Sequence, residues 1–353
     1  MFRRSLLTLH QWVRLASGLF LFVISVSGSA LVFESEIDRA LNPSTSFVTP
    51  GARPLPIETL IARVQAAYPK DQIGGVRIAD KADQAYEFSL RSRQAAMVDP
   101  YTGYVLGLRD REKSFARWAH LLHTRFVAGE IGEKMVGGFS VAMLGLAITG
   151  LVLWWPRNIL TVGSASSWKR TNFDLHNVFG FYSSLVMLFI TLSGVLIAFE
   201  GVTDPLVKRL NDVPDPPAPQ STPVAGGMRI PVDEAIAIAE RALPGAFASN
   251  VGIPNGQKAV FRILKKFPED RTPAGRSRVY IDQFSGKVLL VENTRTAPLG
   301  TRILNLKRSA HTGDILGAPT QTLYFLVSLG IAAQATTGVL IWWNGRKRTL
   351  TLS

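Results

Sequence analysis

The sequence predicts an α-helical membrane protein with four transmembrane helices, internally duplicated, and two small α+β modules outside the bilayer. Three observations carry this. Four long apolar runs contain no charged side chain, lysine and arginine gather in the short segments beside them, and two stretches led by histidine each occur twice. The composition agrees: of 353 residues 47% are hydrophobic and 18% charged, against roughly 25% charged in ordinary globular domains. Mean hydropathy is +0.17.

The apolar runs fall at about 15–33, 135–155, 178–199 and 322–343, each close to the ~20 residues that cross a ~30 Å hydrocarbon core as a helix. The first has a rival reading. Arg3 and Arg4 before an apolar stretch that ends in Ser27-Gly28-Ser29-Ala30 also fit a cleavable signal peptide. The third run repeats it deep inside the chain, however, where cleavage makes no sense, and the run is long for a signal. It is therefore read as a retained span.

Orientation follows from basic residues in short segments. Arg3, Arg4 and Arg14 lie at the N-terminus, Arg157, Lys169 and Arg170 in the loop between the second and third runs, and Arg346, Lys347 and Arg348 at the C-terminus. Four crossings put all three on one side, the cytoplasm. The formal charge of +13 is then partly a topology signal. It does not mark a nucleic-acid binder, because the cations flank spans and no recognition module accompanies them.

The segments left on the other side, in a bacterium the periplasm, each read as an α+β module. In the first, Leu60-Ile61-Ala62-Arg63-Val64 predicts a helix, and the alternation at 75–78, 86–90 and 96–98 predicts a strand meander. The hairpin Asp99-Pro100-Tyr101-Thr102-Gly103 recurs in the second module as Asp282-Gln283-Phe284-Ser285-Gly286, an acid and a glycine around a tight polar turn. Proline stiffens the linker Val213-Pro214-Asp215-Pro216-Pro217-Ala218-Pro219. The absence of cysteine fits an exported chain that avoids stray disulfides. The expected divisions are 1–34 (first span), 35–119 (first module), 120–155 (interfacial helix and second span), 156–175 (cytoplasmic loop), 176–200 (third span), 201–310 (linker and second module), 311–345 (fourth span) and 346–353 (basic tail).

The repeat is ungapped in both stretches. Aligning His10 with His176 matches Ser17/Ser183, Ile24/Ile190, Ser27/Ser193, Gly28/Gly194, Glu34/Glu200 and Asp38/Asp204. Aligning His123 with His311 matches Thr124/Thr312, Ala147/Ala335, Thr149/Thr337 and Gly150/Gly338, ending on Trp154-Trp155 and Trp342-Trp343. In its His-led helices, paired Asp-x-aromatic-Ser/Thr-Gly hairpins and Thr-Gly…Trp-Trp helix ends, the chain resembles the PepSY-associated transmembrane proteins over nearly its whole length. The resemblance implies an inner-membrane protein with periplasmic PepSY modules. Some members are similar to haem-containing reductases that release iron from ferric siderophores, and the family is functionally mixed.

The repeat singles out four of five histidines. Topology puts His10 and His176 at the cytoplasmic ends of the first and third helices, and His123 and His311 on the periplasmic side before the second and fourth. Each membrane face thus receives two imidazoles. A zinc site wants three or four protein ligands, and neither cysteine nor an obvious carboxylate partner is at hand. Haem iron needs only two axial ligands. Two b-type haems are expected, one on His10 and His176 and one on His123 and His311.

Other residues keep two readings each. Gly28 follows His10 by 18 residues, as Gly194 follows His176, which is five turns at 3.6 residues per turn. Each glycine can admit a flat macrocycle near the second haem or simply let helices pack. His120, whose counterpart is Arg308, is expected beside the haem or, alternatively, as ligand in place of His123. Arg14, Arg117, Arg125 and Arg308 can meet haem propionates or snorkel at the interface. The Trp-Trp pairs are expected in the aromatic belt, and Glu34 and Glu200 can bind substrate or cap the modules.

No dinucleotide fingerprint, P-loop, zinc-protease motif or cysteine nucleophile is present. Electrons must come from a cytoplasmic reductase or the quinone pool, and the bound cofactor carries the redox work. The expected function is therefore an oxidoreductase, a di-haem electron-transfer protein of the inner membrane. Its acceptor is periplasmic, and the resemblance favours ferric iron in a siderophore. The alternative is a non-enzymatic PepSY protein that binds a peptide, protease or envelope partner, its helices serving only as anchors.

Overall fold

Each apolar run becomes a helix because a spanning segment meets no water and must bond its own amides. In a computed structural model of the chain the described residues are 1–155, 158–163, 167–213 and 217–350, with backbone alone for 346–350. Arg157, the linker residues Pro214, Asp215 and Pro216, and the side chains of Arg346, Lys347 and Arg348 lie outside the described residues.

Along the chain, α1 (Phe2–Val32) leads through α2 (Glu34–Leu41) and α3 (Pro43–Ser46) to α4 (Ile57–Ala67). Strands β1 (Ile73–Arg77), β2 (Tyr86–Leu90), β3 (Gln94–Val98) and β4 (Val105–Asp110) follow, then α5 (Phe115–Arg125) and α6 (Gly129–Trp154). A similar succession comes next: α7 (Trp168–Ala198), α8 (Glu200–Leu210), α9 (Val232–Ala242), β5 (Phe247–Gly252), β6 (Val260–Lys266), β7 (Ser277–Asp282), β8 (Val288–Glu292), α10 (Leu299–Thr312) and α11 (Ala318–Leu350). The chain forms two compact units, one of residues 1–34, 118–207 and 306–353, the other of residues 35–117 and 208–305.

In the first unit α1, α6, α7 and residues 318–345 of α11 are long and apolar enough to cross a membrane. They form a ring in which α1 packs on α6 and α11, and α7 packs on the same two. Leu21, Met143, Leu146, Ala147, Met187, Val327 and Ile331, drawn from all four helices, make its buried centre. Several hydroxyl side chains inside the bundle are satisfied locally. Ser17 donates to Val13 O, Ser27 to Val23 O and Thr191 to Met187 O, each at 2.7 Å, the back-bonding that lets hydroxyls sit in apolar helices. Helix α1 starts at Phe2 and α7 at Trp168, earlier than the hydropathy indicated, because polar end residues continue the same backbone bonding.

In the second unit the predicted meander of the first module appears, and the second module forms a like meander, but the two do not make separate sheets. One antiparallel sheet runs β4-β3-β2-β1-β5-β6-β7-β8, joined where Val76 of β1 faces Val251 of β5. Pairing these strands removes two exposed edges. Glycine is needed at the joint, since a Cβ on Gly75 would stand 2.8 Å from Val251 O. Helices α4 and α9 cover one face, with Leu60, Val64, Val232 and Ala235 against Phe88, Phe261, Ile263 and Ile281, and truncating a buried phenylalanine of this kind costs about 3–5 kcal/mol. The two helices cap one another. The Asp233 carboxylate accepts from the N–H groups of Ile57 (2.8 Å) and Glu58 (2.9 Å), while Glu58 accepts from Val232 N–H (2.8 Å) and from Arg229 (3.0 Å). Both predicted hairpins are present. Asp99 Oδ1 accepts from Tyr101 N–H and Asp282 Oδ1 from Phe284 N–H, at 2.8 and 2.9 Å, and Gly103 and Gly286 supply φ of 72° and 70°.

Candidate functional site

The ring of four helices brings the repeat-matched histidines together in two pairs. His10 on α1 and His176 on α7 line one cavity, and His123 on α5 and His311 on α10 form the other pair. At the first, His10 Nδ1 lies 2.8 Å from Thr149 Oγ1 on α6, and His176 Nδ1 lies 2.9 Å from Thr337 Oγ1 on α11. Each threonine hydroxyl already donates to a carbonyl on its own helix, Thr149 to Gly145 O (2.7 Å) and Thr337 to Ala333 O (2.8 Å). Its oxygen must then accept from the imidazole, so Nδ1 carries the proton and Nε2 keeps its lone pair.

The second pair reaches the same state by another route. His123 Nδ1 lies 2.9 Å from Ile24 O and His311 Nδ1 lies 3.0 Å from Ile190 O. A carbonyl can only accept, so these rings too are Nδ1–H donors with a basic Nε2. Ser27 and Ser193 stand nearby, at 3.5 and 3.3 Å from the same nitrogens. A metal-ligating histidine characteristically has its second nitrogen tied in this way, which fixes tautomer and ring direction. All four Nε2 atoms lack a hydrogen-bond partner among the described residues.

The dimensions suit a metal shared by two imidazoles. The His123 and His311 ring centres are 6.0 Å apart, with the planes at 41°. Two imidazoles that would hold one metal, each at roughly 2 Å, have ring centres on the order of 6 Å apart. The His10/His176 cavity is partly open to its surroundings. Gly18, Gly150 and Gly180 help line it, and a Cβ on Gly150 would already stand 3.6 Å from His10 Cε1. Among the described residues no three His, Cys, Asp or Glu side chains gather to hold a bare ion. A cofactor that brings its own equatorial ligands, as haem does, fits such two-histidine sites; zinc does not.

The family description PepSY-associated TM region matches residues 7–345 of the chain. The chain belongs to this family. No curated protein matches it. The residues that frame the histidines in this PepSY-associated chain were partly visible beforehand: Thr149, Thr337, Ile24 and Ile190 are all repeat-matched, but only packing reveals that each receives an imidazole.

The structure places the other expected residues as follows. Gly28 and Gly194 lie against the histidine rings, since a Cβ there would stand 2.8 Å from His123 Cε1 and 3.0 Å from His311 Cε1. Arg125 is committed to Glu133 at 3.0 Å, and Arg117 to Glu112 at 3.0 Å in the other unit. Arg308 is exposed one turn before His311, and His120 lies one turn before His123 on α5. Glu200 and Asp204 pair with Lys307 at 3.2 and 2.7 Å. Trp154 packs inside the bundle. It is 8% exposed, stacks on Phe181 at 3.9 Å and forms cavity wall, whereas Trp155 is 71% exposed. Arg14, expected near a propionate, is brought into the His10/His176 cavity.

Proposed function

We propose that the chain is a di-haem electron-transfer protein of a bacterial inner membrane, an oxidoreductase whose acceptor is periplasmic ferric iron held in a siderophore. One observation carries this reading: four repeat-matched imidazoles, two at each end of the helix ring, all with Nδ1–H bonded and Nε2 presented for a ligand. His10 and His176 hold one haem and His123 and His311 the other. Haem, when bound, supplies reversible one-electron exchange at its iron. The chain supplies direction and insulation. Threonines and carbonyls orient the rings, and the buried layer of Leu21, Met143, Met187 and Ile331 keeps water from the space between the two sites.

The wider assignments rest on the same pattern. We read the chain as an internal duplication, because His10–Thr149 corresponds to His176–Thr337 and His123–Ile24 to His311–Ile190, partner for partner. Arg3, Arg4, Lys169 and Arg170 favour a cytoplasmic position for the His10/His176 end, with the sheet unit in the periplasm. Ferric iron as acceptor comes from the family resemblance. Outer-sphere reduction of a bulky chelate requires no acid, base or nucleophile, in keeping with the side chains present.

The test is spectroscopic. Membranes from haem-replete cells should show reduced-minus-oxidised bands of bis-histidine haem at two haems per chain. The dithionite-reduced protein, mixed rapidly with ferric siderophores, should reoxidise as ferrous iron appears. A colourless, iron-free protein sinks the reading in favour of a PepSY membrane protein that only binds a partner. A haem protein that no ferric chelate reoxidises keeps the haems and loses the siderophore.

A further inference from the structure

Among the described residues Arg14 is the one charged side chain lining the His10/His176 cavity. It lies one helical turn after His10, on the same face. Its residue is 7% exposed, and its Nε and Nη2 atoms are buried with no hydrogen-bond partner among the described residues. Nor does any described carboxylate ion-pair with it. A guanidinium does not lose its proton in a protein, and an unpaired charge buried at membrane depth is costly. The arrangement is therefore incomplete without an anion, and the open side of the guanidinium is the cavity.

The chain commits backbone space to keeping this arginine there. Gly338 on α11 lies against its aliphatic stem, where an added Cβ would stand 2.5 Å from Arg14 Cδ. The repeat breaks at this point. The counterpart of Gly338 is Gly150, but the counterpart of Arg14 is Gly180, which also lines the cavity. The two repeats thus differ in charge at this wall, one carrying a cation and the other none. A flat ligand held between His10 and His176 meets positive charge on one side only.

We propose that Arg14 receives a propionate carboxylate of the haem held by His10 and His176, fixing its rotation in the site and raising its reduction potential above that of the same site without the arginine. This rests on the haem reading above. A guanidinium binds a carboxylate through two parallel N–H bonds, which favours one rotational placement of the macrocycle. Reduction removes one positive charge from the haem iron, so a nearby fixed cation favours the reduced state.

The test compares wild type with Arg14→Gln and Arg14→Lys, using full-length protein in detergent, and titrates haem against haem dimethyl ester, whose carboxylates are blocked. Arg14→Gln should weaken haem retention at the His10/His176 site by about tenfold to a hundredfold and shift its midpoint potential downward. The wave from the other site should stay put as an internal control. Arg14→Lys should keep most of the potential while losing the defined placement, seen as a broadened low-temperature spectrum. Wild type should bind the ester about as weakly as Arg14→Gln binds haem, a comparison that survives even if the variants fold poorly. Equal affinity for haem and ester, with an unshifted potential in Arg14→Gln, overturns the Arg14 assignment and leaves the haem reading standing. A wild-type chain that takes up neither compound overturns both.

Discussion

At the scale of single residues, the histidines could be read from the sequence and the atoms that aim them could not. Repetition marked His10, His176, His123 and His311, because few chemical reasons exist to keep a histidine twice at one interval. Thr149 and Thr337 were equally repeated, yet a threonine near a helix end has many uses, and the face it presents depends on which helix packs there. Their bonds to Nδ1 yield a prediction. Thr149→Val or Thr337→Val leaves an N–H donor unanswered and frees the ring to turn. Haem content at that site should fall about tenfold to a hundredfold, with Ser restoring it and the other site intact; unchanged pigment in both Val variants contradicts the role. Gly28→Ala separates two further readings. If glycine only let helices approach, the loss would be a general fall in stability. Because the Cβ would stand 2.8 Å from His123 Cε1, the His123/His311 signal should vanish selectively while the His10/His176 signal persists.

At the scale of elements, hydropathy found the four spans and alternation found three strands of the first module, since both patterns are local; β5 and β6 of the second module were not read. What local pattern cannot carry is the union of β1 with β5, whose paired residues Val76 and Val251 lie far apart in sequence. The reciprocal caps of α4 and α9 escaped for the same reason. Proline precedes each helix, and the acids Glu58 and Asp233 sit early in the first turn as acids commonly do, but each serves the other helix. Replacing Asp233 with Ala should cost about 1 kcal/mol in thermal or denaturant unfolding of the sheet unit, and no measurable loss would show the cap to be dispensable. The hairpin acids give a pH prediction. Burial alone would raise the Asp282 carboxyl, but the N–H groups of Ser285, Thr222 and Phe284 outweigh it and hold the group below its ordinary value. A depressed folded value means stability that is present above the unfolded value of ~3.9 and lost as pH falls through the folded one. Unfolding profiles of wild type should therefore drop on acidification below about pH 4, and Asp282→Asn should start lower at neutral pH and drop less. Parallel acid limbs would remove Asp282 from the account.

At the scale of the whole molecule, the two histidine pairs lie 18 residues apart along α1, from His10 to Gly28 beside His123, on the order of 27 Å at 1.5 Å per residue. Between them the helix ring is apolar and closed by Leu21, Met143, Met187 and Ile331. The matched spacing in α1 and α7 sets this separation, which makes it readable from the repeat alone. Under the proposed di-haem reading each pair is necessary and neither sufficient for moving electrons across a membrane. The prediction uses sealed vesicles with a donor enclosed on the cytoplasmic side and a ferric chelate outside. His10→Ala and His123→Ala should each keep about half the haem and each abolish chelate reduction by the enclosed donor. The two then part company when dithionite is added outside: the His123/His311 site remaining in His10→Ala should be reduced at once. The site remaining in His123→Ala, facing inward behind the apolar layer, should be reduced slowly or only after permeabilisation. If that inward site responds to external dithionite as fast as the outward one, the proposed orientation is wrong. If either variant still reduces the external chelate at the wild-type rate, electrons do not need both pairs.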